Sequence, residues 1–277
     1  MRSIVDANVD NWPLDFHVLY DVFSADARNR ILASLPHGSA TVEWIKVDMA
    51  TFAGFTTKAY ISKMTYARLL LPSLFHERIS KVLYLDADIL VLRNLGPLWT
   101  TDLTGSPIGA VLDNGVDSLL KQNDSRVKNV PRVQSYFNAG VLLIDLTRWR
   151  KERIAERAFE FLARYPKTPF SDQDALNAVC DGEWKQLDPR WNFQDHSKHS
   201  IAAMDRSGRP AIIHFVANEK PWDARALNVN APFYDTFRDQ TEFARSPAER
   251  LSDMLKRTWA RSKTLIKTLV LGQPLGS

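Results

Sequence analysis

Two spacings of apolar residues alternate along this chain. Short unbroken apolar runs give way to stretches in which apolar residues return every three or four positions. The first strand-like run is Asp15-Phe-His-Val-Leu-Tyr20, and a second covers residues 42–47. Val82 to Leu85 is short and suits a strand buried on both faces. Further runs cover residues 108–112, ending at Asp113, then 141–144 and 211–214. Between them lie helical spacings. Residues 1–10 read as the end of a helix. Ser24 caps a helix to about Leu35, with Ala27, Ile31 and Leu35 on one face. Residues 61–71 look helical and carry Tyr66 and Arg68. Ile154, Ala155, Ala158, Phe161 and Leu162 mark one face of another helix. Ser171-Asp-Gln-Asp174 reads as a helix start, a Ser cap followed three residues later by a carboxylate. Residues 118–132 are polar and lack a period, which predicts a long loop of the kind that forms lids. Strand and helix patterns alternating in this way predict an α/β fold with a mostly parallel sheet and crossover helices.

From Ser246 onward the period is again helical. Leu251, Met254, Leu255, Trp259, Ile266, Leu269 and Val270 form a stripe near period 3.6. Residues 245–277 also hold seven basic residues against two acids, an excess of five positive charges in a chain whose net charge is +4. The chain therefore divides into a near-neutral body, residues 1–244, and a basic amphipathic tail, residues 245–277. A pI near 9.1 describes the tail, so nucleic acid is not indicated as a partner. The tail reads either as a helix packed on the body or as one lying on an anionic membrane surface, and the concentration of charge favours the membrane.

Composition adds few constraints. A length of 277 residues, 45% hydrophobic, fits one globular domain with a sizeable core, or a domain plus a tail. The single cysteine, Cys180, excludes an internal disulfide and points to a reducing compartment. No apolar run reaches the ~18 residues of a spanning helix, and no apolar signal-peptide core lies near Met1. No internal repeat or low-complexity segment is visible.

The chemistry sits where the apolar runs break. Asp86 and Asp88 follow the run Val82 to Leu85, and in an open α/β sheet ligands bind outside the carboxyl ends of strands. Two carboxylates one residue apart offer hard oxygen ligands to Mg²⁺ or Mn²⁺, or else simply begin a surface loop. His214 ends another short run, and imidazole is an acceptable Mn²⁺ ligand; a hydrogen-bonded core histidine is the alternative.

Four stretches share the order and spacing of a known family. These are Asp86-Ala-Asp88 with the following Arg93-Asn-Leu-Gly-Pro-Leu-Trp99; Tyr136-Phe-Asn-Ala-Gly-Val-Leu-Leu-Ile-Asp-Leu146; Ser171-Asp-Gln-Asp-Ala-Leu-Asn177; and His214-Phe-Val-Ala-Asn-Glu-Lys-Pro-Trp222. Over roughly residues 1–225 the chain resembles glycosyltransferase family 8, and most of all its bacterial lipopolysaccharide galactosyl- and glucosyltransferases. The resemblance implies a Rossmann-like, GT-A-type catalytic domain over residues 1–244. It implies a metal-dependent, retaining transfer of galactose or glucose from a UDP-sugar to a glycan or lipid-linked saccharide such as lipopolysaccharide. It also implies Mn²⁺, or Mg²⁺, held by Asp86, Asp88 and His214. Donor contacts carry over to Arg68, Asp86, Ala87, Asp88, Asp113, Asn138, Ala139 and Lys220, and catalytic positions to Gln173 and Asp172, with Asp174 left structural. Lys220 would serve as a cation on the leaving diphosphate. Such an enzyme would be cytoplasmic, peripheral on the inner face of the cell membrane. The family opens on a strand and base-binding loop ahead of the helix that residues 1–8 resemble. That strand is expected to be missing here, and the domain to be incomplete at its N-terminus. Two other readings stay open: a self-glucosylating or protein-directed enzyme of the same fold, and a catalytically weak sugar- or nucleotide-binding protein.

Overall fold

The computed structural model describes residues 1–57, 61–115, 130–195, 200–204, 208–216, 220–223 and 228–271. Residues 116–129, most of the segment expected to form a lid, lie outside them. In chain order the first elements are α1 (Arg2–Ala7), β1 (Asp15–Tyr20), α2 (Ala25–Ala33), β2 (Thr41–Lys46), α3 (Leu71–Leu74), β3 (Lys81–Leu85), β4 (Ile89–Val91), α4 (Gly96–Trp99) and β5 (Ile108–Leu112). There follow β6 (Phe137–Asp145), α5 (Leu146–Lys151), α6 (Ile154–Arg164), α7 (Asp172–Val179), β7 (Lys185–Gln186), β8 (Phe193–Gln194), β9 (Ile212–His214), α8 (Ala231–Arg238) and α9 (Pro247–Leu271).

β6 is the centre of the molecule. Its first eight residues, Phe137 to Ile144, are buried, as a largely apolar strand between two neighbouring strands should be, Asn138 being the one polar side chain among them. It pairs antiparallel with β3 on one side and with β5 on the other, and β7 joins β5 in parallel. α5, α6 and α7 cover one face, and Trp149, Ile154, Ala158, Leu162 and Leu176 pack into the largest core there. Burying side chains of this size contributes roughly 1.5–3 kcal/mol each. The α6 face expected from the sequence, Ile154, Ala155, Ala158, Phe161 and Leu162, is the face that is buried.

Several expectations need correcting. The sheet is mixed, not mostly parallel: among the described pairings three are parallel and three antiparallel. Alternation of strands and helices cannot reveal that β6 runs against both its neighbours. The helix expected over residues 61–71 is a 3₁₀ helix, Lys63–Leu70, whose Ser62 cap accepts a hydrogen bond from the Met64 N–H. α2 starts at the expected Ser24 cap but ends at Ala33 and buries no residue fully.

That half-burial has a cause. β1 pairs only with β2, and β3 only with β6, among the described residues. β1 and β3 both line one broad trough of about 1670 Å³. Their residues are only partly covered for that reason, although the pattern of β3 is that of a two-sided buried strand. α1 is a helix as expected. Ile4 and Ala7 pack on the core around Val91 and Val141, and Ser3 Oγ accepts from the Val91 N–H.

Candidate active site

Strand register brings the chemistry to the trough. β3 and β6 pair from Lys81 opposite Asp145 to Leu85 opposite Val141, and the ladder runs one step further, the Asp86 N–H donating to the Gly140 carbonyl at 2.8 Å. β4 starts at Ile89, which sits opposite His214 of β9, and the Phe215 N–H donates to the Asp88 carbonyl. Two separate sheets thus deliver the Asp86-Ala87-Asp88 turn and His214 to the same point. His214 Nε2 lies 3.3 Å from Asp88 Oδ1 and 3.8 Å from Asp86 Oδ2. One ligand atom from each of the three residues falls within 4.8 Å of the others.

Gly140 makes this approach possible. A Cβ built there would stand 2.1 Å from His214 Cε1 and 2.9 Å from Asp86 Oδ2, so any side chain would push the imidazole off the carboxylates. Sequence reading did not single out Gly140; a glycine inside a buried strand was the available signal.

The two aspartates are held differently. Asp86 Oδ1 accepts from Arg68 Nη2 at 2.9 Å and from the Tyr84 hydroxyl at 2.7 Å, and its Oδ2 is the oxygen toward His214. Asp88 Oδ2 forms a 2.6 Å ion pair with Lys220, whose Nζ also donates to the Phe215 carbonyl. Burial pushes the Asp88 carboxyl up, but hydrogen bonds and charge from His214 and Lys220 overrule it and hold the group below the usual carboxylate range. Ala87, between them, is exposed on the trough wall.

Arg68 is no helix-surface residue. It is 4% exposed, and its guanidinium pairs with Asp86 and Asp172 and donates to the Ala139 carbonyl. It also lies over the Tyr84 ring, 4.6 Å from the centroid. Asp172 is 2% exposed. Its Oδ2 lies 2.9 Å from Arg68 Nε and its Oδ1 accepts from Thr65 at 2.6 Å. Burial drives the Asp172 carboxyl up to about 6, and Arg68 and Thr65 hold it from rising further. Tyr84 and Thr65, which the sequence reading passed over, complete this cluster; nothing in their local pattern marks them.

The start of α7 differs from the expected capping box. Ser171 has φ 54°, in the left-handed region, and its side chain makes no cap bond. Asp174 ties down the turn before the helix instead, its Oδ2 accepting from the Phe170 N–H at 2.7 Å while Tyr136 donates to its Oδ1. A non-glycine residue held this way costs about 1–3 kcal/mol and is typical of sites that aim a side chain. Here the turn aims Gln173. Its Oε1 accepts from the Ala139 N–H, and its Nε2 donates to Asp113 Oδ2 at 3.2 Å. Asn138 Nδ2 donates to the same Asp113 oxygen at 3.0 Å. Asp113, Asn138, Asp172, Gln173, Arg68, Asp86, Asp88, His214 and Lys220 all line the trough. Ala139 is fully buried and joins them through its backbone alone.

Two carboxylates and an imidazole converging beside a lysine form a donor set that fits a hard divalent cation. Beside it lies a row of amide and carboxylate groups suited to hydroxyls.

The sequence matches Glycosyl transferase family 8 over residues 1–226. The chain belongs to that family. It is 31% identical over 226 residues to General stress protein A of Bacillus subtilis, covering 76% of each chain. It is 24% identical over 228 residues to the lipopolysaccharide 1,3-galactosyltransferase of Salmonella typhimurium, covering 80% of this chain and 67% of that one. The solved galactosyltransferase LgtC, in complex with donor and acceptor sugar analogues, superposes with a TM-score of 0.74 at 29% identity, over 91% of this chain and 93% of that one. The fold is therefore the GT-A type of α/β glycosyltransferase, as the family 8 motifs implied.

Proposed function

We propose that this family 8 glycosyltransferase is a divalent-metal-dependent hexosyltransferase. It moves galactose or glucose from a UDP-sugar, with retention of configuration, to a glycan or lipid-linked saccharide such as lipopolysaccharide. One observation carries the reading: Asp86, Asp88 and His214 meet at one wall of the trough with Lys220 against them. The hexose and acceptor classes follow its relatives, the Salmonella galactosyltransferase and the lipopolysaccharide 1,2-glucosyltransferase of Escherichia coli.

Asp86, Asp88 and His214 would hold Mn²⁺ or Mg²⁺, which when bound supplies charge stabilisation to the departing diphosphate. Lys220 adds a point charge on the same side. Asp113, Asn138 and Gln173 bind and orient the sugar hydroxyls. Neither residue of the Asp172–Gln173 pair acts as a nucleophile. Both Asp172 oxygens face Arg68 and Thr65, and the Gln173 amide is tied at both ends. The acceptor hydroxyl therefore attacks the anomeric carbon on the face from which the diphosphate leaves. The bond to the phosphate oxygen breaks, and that oxygen takes the hydroxyl proton.

The same reading places the enzyme on the cytoplasmic face of an anionic membrane through residues 245–277. No helix among the described residues is long and apolar enough to cross a membrane. Leu251, Met254, Leu255 and Trp259 stand 54–62% exposed along one side of α9.

UDP release from UDP-galactose and UDP-glucose, followed while Mn²⁺ is titrated, tests the chemistry. Wild type should turn over only with metal. Asp88→Ala should lose about two orders of magnitude or more, as several kcal/mol of lost charge stabilisation implies. Full activity in chelator would overturn the proposal.

A further inference from the structure

The His214 imidazole can present Nε2 to Asp86 and Asp88 as a ligand only if its proton sits on Nδ1. Which nitrogen carries the proton is set by the partner of the other one. That partner is Asn192, 1% exposed, whose Oδ1 lies 3.0 Å from His214 Nδ1. An amide can be turned end for end, so a single contact would decide nothing. Here the orientation is determined by a chain of contacts anchored at groups that cannot be turned. The Gly140 N–H, which can only donate, points at one end of the Asn138 amide at 3.0 Å, so that end is the oxygen. The other end then donates to Asp113 Oδ2 at 3.0 Å, a carboxylate that accepts. The Asn138 oxygen also faces the Asn192 amide at 2.9 Å, so Asn192 must present its NH₂ there and turn its oxygen to His214. An oxygen at that position requires a proton on Nδ1.

We infer that Asn192 is a positioning residue: together with Asn138 and Asp113 it keeps a proton on His214 Nδ1, so that Nε2 is the nitrogen aimed at the two carboxylates and the one a metal would take. The relay also links the group placed at the donor sugar, Asp113, to the group placed at the metal, His214, through two buried amides. It rests on the metal reading only for its consequence; the proton on Nδ1 is a property of the protein without metal.

The test begins without metal. Two-bond ¹H–¹⁵N correlation spectra of the labelled, metal-free chain, recorded above the ordinary imidazole range of about 6.5, report which His214 nitrogen is protonated. Wild type should show Nδ1–H. Asn192→Leu should shift the population toward Nε2–H and weaken Mn²⁺ binding, measured by calorimetry, by about 10- to 100-fold, the usual effect of losing a partner that orients a metal ligand. Asn192→Asp keeps an acceptor facing Nδ1 but gives up the donor to Asn138, so it should keep the Nδ1 proton while losing the link to Asn138 and Asp113. A wild type in which Nδ1 carries no proton overturns the inference with no substitution made. So does an unchanged tautomer in Asn192→Leu, whatever happens to Mn²⁺. If the tautomers behave as stated and wild type binds no Mn²⁺, the positioning role stands and the metal reading falls.

Discussion

Asp172 carries a buried charge that the fold tolerates through a single arginine and a threonine. Its carboxyl rises from an ordinary 3.8 to about 6, burial being the largest cause. Between those values the folded state binds more protons than the unfolded one, so stability falls as pH rises through that window. The contribution is fully present below about 4 and lost above about 6. Two units correspond to about 3 kcal/mol. Asp172→Asn removes the titration. Urea unfolding of both proteins should show the stability of the wild type, relative to the variant, declining by about that amount from about pH 3 to about pH 7, most of it between 4 and 6. A flat difference would contradict the burial argument. At this scale the sequence reveals the residues that end apolar runs, such as Asp86, Asp88 and His214, because a strand end is a local event. It does not reveal Tyr84, Thr65, Gly140 or Asn192, whose roles come from neighbours distant in the chain. Ser171 shows the opposite error. Ser-x-x-Asp is a good local cap signal, yet Ser171 stands at φ 54° with no side-chain cap bond, and Asp174 bonds the preceding turn at Phe170 instead.

α9 opens on a true capping box, with Ser246 and Glu249 bonding each other's backbone. It docks by its charged side. Arg245 pairs with Asp235, Asp239 and Asp253, and Arg257 with Asp235 while donating to the Pro221 carbonyl. Docking on charge turns Leu251, Met254, Leu255 and Trp259 outward. The apolar stripe was readable from its period. Which side would pack was not, because the acids Asp235 and Asp239 lie ahead of the tail and only the fold brings them to it. Changing Leu251, Met254, Leu255 and Trp259 together to serine leaves those ion pairs in place. In sedimentation with anionic vesicles this variant should bind more weakly by about 10⁴-fold or more, since each of the four inserted side chains contributes roughly 1.5–3 kcal/mol, and thermal stability should hardly move. The ionic part of wild-type binding should also weaken with salt, as screening shortens from ~10 Å at 0.1 M to ~3 Å at 1 M. Equal binding of variant and wild type would remove the tail from any membrane role.

At the scale of the whole molecule, the site lies where two sheets meet: β3 and β6 supply Asp86, and β4 and β9 supply Asp88 and His214. The family motifs contain these residues, and the structure brings them to one point. The motifs were not enough to show the mixed sheet, because strand direction depends on how connections cross the molecule and leaves no mark in a run of apolar residues. The central claim is that this convergence holds a divalent cation beside the donor. Electron paramagnetic resonance of free Mn²⁺, titrated with the chain in the presence of UDP, measures that directly. The account predicts one Mn²⁺ taken up per chain by the wild type and uptake lost in both Asp88→Ala and His214→Ala. Uptake unchanged in either variant would contradict it.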